Sequence, residues 1–317
     1  MRTPHTSIAA LALGLAALAG LAPASAATDD DPGRYAALGD SYAAGTGTMT
    51  TPNECGRSES AYPARLAGAA GYSDTFDFLA CAGATTMIPL TDIPPYWQTS
   101  LVSPDTEVVT LTIGGNDWLW FMAGSPQRWV DVLQACLYVD GVLGAPGCRD
   151  RITEGPDLAG LSSRISGMIA EIAALAPDAE ILVSGYPELF GPFPAPTCGV
   201  GTATITTGGT PVAELPVLVA RQDARWISQQ SRIVNSRIRE AVGAARAAGY
   251  DVSFVDVAPA FRGHGLCDRS VPWMNGAQGV TVETTTASVS VAPQSFHLNV
   301  FGDTAYAERF LVRGFGG

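Results

Sequence analysis

Short apolar segments alternate with longer amphipathic segments along this chain. The short ones, such as EVVTLTI at residues 107–113, are rich in aliphatic and β-branched residues and indicate buried strands. The longer ones indicate helices, because their apolar side chains recur every three or four residues, as at Leu161, Ile165 and Ile169. We predict strands at residues 35–39, 75–80, 107–113, 180–184 and 252–257, and helices at residues 158–175, 218–248 and 304–312. This alternation predicts an α/β fold in which helices cover both faces of a parallel sheet.

Two segments interrupt the alternation. Residues 136–156 and 187–216 are rich in Gly, Pro and Thr, which predicts long loops or insertions. Whether residues 187–216 form a lid is open at this point. The sequence has neither an internal repeat nor a linker between domains, so we predict a single domain over residues 27–317.

The first residues of the chain have the pattern of a targeting segment. Arg2 is followed by an apolar stretch at 8–21 and by small residues at 24–26, after which the chain becomes acidic. This order predicts a cleaved secretory signal peptide at residues 1–26. A membrane anchor is the alternative, but it needs about 20 uninterrupted apolar residues, and Pro23 cuts this stretch short. We therefore expect a secreted protein without stable membrane insertion.

Charge narrows the choice of function. The chain of 317 residues carries 30 acidic and 18 basic side chains, a net charge of -12, and every basic residue is Arg. The acidic balance argues against binding to the phosphate backbone of nucleic acids. The absence of Lys removes the amine on which Schiff-base, P-loop and Ser-Lys chemistry depend. We therefore expect no nucleic-acid partner and a mechanism without lysine.

All six cysteines follow the predicted signal peptide. An even number of cysteines in an exported protein favours disulfides over metal ligands, and the sequence contains no C-x-x-C pair. The sequence alone does not select one connectivity. We favour sequential pairing, in which each bridge closes a separate loop: Cys55 with Cys81, Cys136 with Cys148, and Cys198 with Cys267.

Serine and histidine are the remaining candidates for covalent chemistry. Ser41 follows the first predicted strand in the sequence Gly39-Asp40-Ser41, which places its hydroxyl at the carboxyl edge of the sheet and at the start of a helix. The alternative is that Ser41 only caps that helix. Beyond the signal peptide the chain has two histidines, His264 and His297, so one of them has to be the base.

Two further segments follow predicted strands and are expected at the same sheet edge as Ser41. Asn116, in GGND after the strand at 107–113, can present its amide there as a hydrogen-bond donor to an oxyanion. Gly83, in CAGATT after the strand at 75–80, allows a backbone N–H group to approach the same point. These residues form a constellation suited to acyl transfer.

The order of these segments resembles a known family. GDSY at 39–42, Gly83 in CAGATT, GGND at 114–117 and His297 occur in the order of the four sequence blocks of the SGNH, or GDSL, hydrolases. The resemblance spans most of the mature chain. Together with the GHGLCD segment, the six cysteines are most similar to the secreted bacterial lipases and esterases of that family.

The resemblance implies both a fold and an activity. The implied fold is a three-layer α/β/α sandwich with a five-stranded parallel sheet, similar to flavodoxin. The implied activity is that of a carboxylic ester hydrolase working through a tetrahedral intermediate and an acyl-enzyme, with no metal or organic cofactor. We expect a monomer that acts on a small-molecule or lipid ester.

The resemblance also implies residue roles. Ser41 is the nucleophile and His297 the base, while the N–H groups of Ser41 and Gly83 and the side chain of Asn116 form the oxyanion hole. His264 is then left with a structural role. A histidine base predicts an activity that rises as a group in the ordinary histidine range loses its proton.

The sequence departs from the family pattern beside the predicted base. Many members have Asp three residues before the histidine, and this chain has Gln294 there, which cannot supply a negative charge. We therefore expect a Ser-His dyad in which the main-chain carbonyl of Gln294 or Ser295 orients His297. Leu298 replaces a Pro that is common after the histidine, which bears only on local rigidity.

The substrate class is less well defined. The apolar sequence Trp118-Leu119-Trp120-Phe121 follows the GGND block, and we predict that some of these side chains line an acyl-chain groove, although core packing is the alternative. A groove favours fatty-acyl esters, as in a lipase, carboxylesterase or phospholipase. A carbohydrate acetyl esterase and a non-catalytic secreted binding protein are the rival interpretations.

Overall fold

The structure, a computed structural model, describes residues 33–51, 53–86, 98–117, 120–122, 125–127, 129–144, 146–154 and 160–316. The predicted signal peptide lies outside these residues. The helices are α1 (Ser41–Ala44), α2 (Tyr62–Ala70), α3 (Trp129–Ala135), α4 (Cys148–Arg151), α5 (Leu161–Leu175), α6 (Arg221–Ala247) and α7 (Val300–Arg313). The strands are β1 (Arg34–Gly39), β2 (Phe76–Phe78), β3 (Thr106–Thr112), β4 (Trp120–Met122), β5 (Ser125–Gln127), β6 (Leu137–Tyr138), β7 (Ile152–Glu154), β8 (Glu180–Ser184), β9 (Thr197–Thr207), β10 (Thr210–Ala220), β11 (Val252–Val255), β12 (Ala277–Glu283) and β13 (Ser288–Ser290).

The main sheet consists of the five strands that the hydrophobic pattern predicts. Its order is β11-β8-β3-β1-β2, and all neighbouring strands are parallel. The helices pack as the pairs α2 with α7 and α5 with α6. Strands such as β1 and β8 are buried almost throughout, because both faces of the sheet are covered. The predicted α/β/α sandwich with a five-stranded parallel sheet is confirmed.

Residues 187–216 were expected to form a long loop or an insertion, and most of residues 197–216 form strands rather than a loop. Residues 197–220 form the long antiparallel hairpin β9–β10, which belongs to a second sheet with the order β13-β12-β9-β10-β6. Pro211 and Pro216 argued against a strand, but β6 pairs with β10 only near its end, at Leu218 and Val219. The prolines therefore lie where β10 is an edge strand, and their missing N–H groups remove no hydrogen bond to a second neighbour.

Two predicted helix starts also need correction. Residues 218–220 were expected in a helix, but they belong to β10, and α6 begins at Arg221. At the other end of the chain, α7 begins at Val300, earlier than predicted, because the Asn299 side chain accepts hydrogen bonds from the first free N–H groups of the helix. The segment at 136–156, also expected to be a long loop or an insertion, contributes the short elements β6, α4 and β7.

Three disulfides connect the described cysteines. They join Cys55 to Cys81, Cys136 to Cys148, and Cys198 to Cys267, which are the sequential pairs favoured by the order of the cysteines. The third attaches the base of the β9–β10 hairpin to the GHGLCD segment. Among the described helices, none combines the length and the apolar character needed to cross a membrane.

Candidate active site

The predicted nucleophile, Ser41, lies at the carboxyl end of β1, where the chain turns into α1. Gly39 makes this turn with a φ of +139°, and a Cβ atom at that position would lie 2.2 Å from the Thr112 carbonyl oxygen. Asp40 caps α1, because its Oδ1 accepts a hydrogen bond of 2.9 Å from the Tyr42 N–H. The turn thus holds Ser41 as the first residue of a helix at the sheet edge.

The predicted base, His297, contacts Ser41 directly. Its Nε2 atom is 2.8 Å from the Ser41 Oγ, and its Nδ1 atom is 3.0 Å from the Ser295 carbonyl oxygen. A carbonyl only accepts hydrogen bonds, so Nδ1 carries the ring proton and Nε2 is left to accept the serine proton. Of the two carbonyls considered from the sequence, that of Ser295 therefore lies at the ring. The Gln294 carbonyl instead accepts from the His297 N–H at 3.3 Å.

Asn275 holds the histidine loop, which we define as residues 293–298. Its N–H donates to the His297 carbonyl at 2.8 Å, and its carbonyl accepts from the Phe296 N–H at 3.1 Å. Its side-chain Nδ2 donates to the Gly47 carbonyl, just beyond α1, at 2.8 Å. Asn275 therefore joins the loop that carries the predicted base to the segment that follows the predicted nucleophile.

Burial makes His297 a neutral base at physiological pH. The loss of water contacts lowers its pKa to about 4, and hydrogen bonding to the main chain at Ser295 and Pro293 opposes that shift only in part. The ring is therefore unprotonated over a wider pH range than an ordinary histidine. This moves the expected onset of activity below the ordinary histidine range that the sequence suggested.

The predicted oxyanion donors line the same cavity as Ser41. Asn116 donates one of its two amide N–H bonds to the Ala84 carbonyl at 3.1 Å, which holds the side chain beside Gly83, and its second N–H has no acceptor among the described residues. Gly83 has a left-handed φ of +84°. Within the described ranges, no group accepts a hydrogen bond from the backbone N–H of Ser41 or Gly83. Over the described residues, three N–H donors from residues of the same cavity lining thus have no acceptor.

Tyr186 connects the turn before Ser41, the predicted nucleophile, to the segment after β3 that carries Asn116. Its hydroxyl donates to Asp40 Oδ2 at 2.5 Å and accepts from the Gly115 N–H at 3.0 Å. Burial raises the pKa of Asp40 to about 7, and the Tyr186 hydrogen bond opposes this shift. The Tyr186 ring also packs edge-on against Tyr42, at 5.3 Å between centroids.

Sequence reasoning did not identify Tyr186 or Asn275. Tyr186 follows the end of β8 by two residues, so its position at the carboxyl edge of a parallel strand is a signal that could have found it. Asn275 offers no such signal, because its Gly47 partner is 228 residues away in the chain.

The cavity beside Ser41 and His297 has a volume of about 420 Å³. One side carries the donors described above, and another is apolar. The apolar lining comes from α3, α6 and the segment after β8: Trp129, Leu133, Pro187, Leu189 and Val234. The prediction that residues 118–121 line an acyl groove concerns side chains outside the part of the chain that the structure describes. No residue of the β9–β10 hairpin belongs to the described lining.

His264 lies outside the described lining of this cavity. Its ring stacks on Trp273 with 3.7 Å between centroids, and its Nδ1 is 3.0 Å from the Val271 carbonyl oxygen. Its backbone is bonded to Trp273 and Phe261 as well. These contacts agree with the structural role that was assigned to it.

Comparison with known proteins gives matches over most of the chain. Residues 37–303 match the GDSL-like Lipase/Acylhydrolase family. Lipase 1 of Streptomyces coelicolor is 30% identical over 295 residues, covering 92% of this chain and 93% of that protein. The crystal structure of phospholipase A1 from Streptomyces albidoflavus NA297 superposes with a TM-score of 0.63 at 26% identity, covering 90% of this chain and 100% of that one. The crystal structure of the extracellular lipase from Streptomyces rimosus superposes with a TM-score of 0.59 at 25% identity, covering 88% of this chain and 98% of that one.

These matches agree with the fold and with the four sequence blocks. A solved phospholipase A1 and a solved extracellular lipase share this architecture over nearly their full length, and a protein named Lipase 1 matches in sequence over 93% of its length. The chain belongs to the GDSL-like lipase/acylhydrolase family and is a serine ester hydrolase.

Proposed function

We propose that this protein is a secreted lipase or carboxylesterase that cleaves fatty-acyl esters, with Ser41 as nucleophile and His297 as base. The observation that carries the proposal is the 2.8 Å contact between Ser41 Oγ and His297 Nε2, with the Ser295 carbonyl on the opposite ring nitrogen. A serine hydroxyl is a weak nucleophile until an adjacent base accepts its proton. The neutral His297 ring meets this requirement.

The first half-reaction forms an acyl-enzyme. Ser41 Oγ attacks the ester carbonyl carbon while its proton passes to His297 Nε2, and the carbonyl oxygen takes up the negative charge. The N–H groups of Ser41 and Gly83 and the Asn116 amide stabilise that oxyanion. The bond to the alcohol oxygen then breaks, and His297 returns the proton to the leaving alcohol.

The second half-reaction releases the acid. Water takes the place of the alcohol, gives a proton to His297 and attacks the acyl carbon, and collapse of the second tetrahedral intermediate returns the proton to Ser41. During both steps the imidazolium is stabilised by the Ser295 carbonyl dipole in place of a carboxylate. We therefore assign the site a Ser-His dyad with a carbonyl orienter.

The apolar wall of the cavity supports a fatty-acyl substrate. Trp129 and Leu133 of α3 face the same space as Leu189 and Val234, which gives an alkyl chain a surface on which to be buried. The relatives named lipases are consistent with this choice. A phospholipase is the second candidate, because a solved phospholipase A1 superposes on most of the chain.

We also propose that the protein is exported. The signal peptide pattern at residues 1–26, the three disulfides and the likeness to an extracellular lipase support this. Amino-terminal sequencing of the protein recovered from culture medium should begin at Ala27. Recovery only from the cytoplasm, with Met1 retained, would contradict export.

A series of p-nitrophenyl esters from acetate to palmitate tests the activity. We expect hydrolysis to extend to medium-length chains, because the apolar wall binds them, and to be abolished in Ser41→Ala and His297→Ala. His264→Ala is the matched control and should retain activity. Cleavage confined to acetate would support the acetyl esterase, and preference for a phospholipid over a triglyceride would support the phospholipase.

A further inference from the structure

We propose that Gln230 and Ser231 of α6 form a polar subsite in the substrate cavity that binds an uncharged oxygen of the substrate, a hydroxyl or carbonyl group away from the scissile ester. The inference rests on the proposed function of the cavity and deepens it. Such a subsite would distinguish esters that carry a further hydroxyl or carbonyl group, such as acylglycerols, from simple alkyl esters of fatty acids.

Both side chains are buried, and both line the cavity that contains Ser41. The exposed fraction is 6% for Gln230 and 8% for Ser231. Gln230 Nε2 donates to the Trp226 carbonyl one turn earlier at 3.3 Å, and no group of the described residues donates to its Oε1. Over the residues that the structure describes, the Ser231 hydroxyl has no hydrogen-bond partner.

Two other buried polar side chains of α6, Ser228 and Asn235, behave differently. Ser228 accepts from the Phe190 N–H and donates to the Phe190 carbonyl, at 3.1 and 3.0 Å. Asn235 makes the same two kinds of bond to Tyr186, both at 2.7 Å. Buried polar groups are almost always bonded in this way, because an unpaired one is costly. Ser231 Oγ does not belong to the described buried atoms without a partner, so it is open to the space of the cavity, and a group that displaces water there has to replace the hydrogen bond.

The surroundings define the chemistry of that group. The neighbouring lining is apolar, from Trp129, Leu133 and Val234, so an alkyl chain lying here would leave the Ser231 hydroxyl unpaired. A substrate hydroxyl satisfies both side chains, since it donates to Gln230 Oε1 and accepts from Ser231 Oγ. No charged residue of α6 belongs to the described lining, which favours an uncharged oxygen. The hydroxyl can come from the leaving alcohol, as in glycerol esters, or from a hydroxylated acyl chain.

Matched esters distinguish these two sources. Propyl octanoate and 1-monooctanoylglycerol share the acyl chain and a three-carbon alcohol and differ in two hydroxyl groups. The propyl esters of 3-hydroxyoctanoate and 8-hydroxyoctanoate place a hydroxyl on the acyl side instead. The wild-type protein, Ser231→Ala and the near-isosteric Gln230→Met are compared by kcat/KM on all four esters. Val234→Ala is the control, because it removes apolar surface from the wall of the cavity and should lower kcat/KM for all four by a common factor.

We expect the wild-type protein to prefer one hydroxylated class over propyl octanoate by about three- to tenfold, the size of one neutral hydrogen bond. Ser231→Ala should remove that preference by lowering kcat/KM for the preferred hydroxylated class and raising it for propyl octanoate, because no hydroxyl is then left unpaired against the alkyl chain. A preference for the glycerol ester assigns the oxygen to the alcohol, and a preference for a hydroxyoctanoate assigns it to the acyl chain. Equal ratios in the wild-type protein and Ser231→Ala would overturn the subsite. Failure of the wild-type protein to cleave any of the four esters would overturn the proposed function as well.

Discussion

Tyr186→Phe tests whether the two halves of the candidate site are held together by one hydroxyl group. The substitution keeps the ring, which lines the cavity and packs on Tyr42, and removes the oxygen that joins Asp40 to Gly115. Asp40 precedes the predicted nucleophile, Ser41, and Gly115 precedes the predicted oxyanion donor, Asn116. Without the Tyr186 hydroxyl, we expect the distance between Ser41 and the Asn116 side chain to vary more.

The expected cost follows from the bonds that are lost. The bond from the Gly115 N–H is neutral and contributes about 1 kcal/mol, and the bond to Asp40, when that carboxyl is ionised, contributes about 1.5–3 kcal/mol. About 1.4 kcal/mol in activation free energy corresponds to a tenfold change in rate, so kcat falls about fivefold if the transition state is destabilised by the weaker bond alone, and about tenfold or more if by the bond to Asp40. KM should change little, since the apolar surface of the ring remains.

The assay separates this role from a general loss of stability. The matched control is Tyr62→Phe, which removes another buried hydroxyl, bonded to Thr112 Oγ1 at 2.7 Å, from a residue outside the described cavity lining. Both variants should unfold at lower denaturant concentration, but only Tyr186→Phe should lose kcat on a p-nitrophenyl ester. An unchanged kcat in Tyr186→Phe, or an equal loss in Tyr62→Phe, would refute the reasoning.

Three further predictions concern pH, the oxyanion and a buried carboxyl. His297 has to be unprotonated to act as the base, and burial lowers its pKa to about 4, so kcat/KM should fall as the pH drops through about 4; a midpoint near 6.5 would contradict this. Asn116→Ala should lower kcat about 10²- to 10³-fold, because one oxyanion donor is lost, with little change in KM. Asp303 is buried beside the Tyr62 N–H, and burial raises its pKa to about 8. Because the unfolded chain has an ordinary carboxyl, folding takes up a proton, and stability is lost as the pH rises from about 4 to 8. Asp303→Asn should flatten the Tm profile over that range, and an unchanged slope would exclude Asp303 as its cause.

The main sheet was predictable because its strands are short, apolar and bounded by turn residues. Burial on both faces makes such strands nearly continuous in hydrophobicity, and helix periodicity marked α5 and α6 between them. The β9–β10 hairpin was missed because its sequence is rich in Thr, Gly and Pro. It is defined by pairing along its full length and by its attachment at Cys198, neither of which a local pattern contains.

The candidate site likewise contains residues that could be predicted from the sequence and others that could not. Residues directly after strands, such as Ser41 and Asn116, were predictable from position, because parallel strands end at one edge of the sheet. Which of the Gln294 and Ser295 carbonyls contacts the His297 ring could not be predicted, since it depends on how the histidine loop folds. That loop is held by Asn275, whose bonds connect distant parts of the chain. Such long-range bonds leave no trace in local sequence.

Covalent labelling of the nucleophile tests the central claim most directly. The protein is treated with a p-nitrophenyl alkylphosphonate, which forms a stable adduct with an activated serine, and the site is located by peptide mass spectrometry. We predict a single phosphonyl group on Ser41, labelling slowed strongly in His297→Ala, and none in Ser41→Ala. Labelling at a different serine, or ester hydrolysis that persists in Ser41→Ala, would contradict the account.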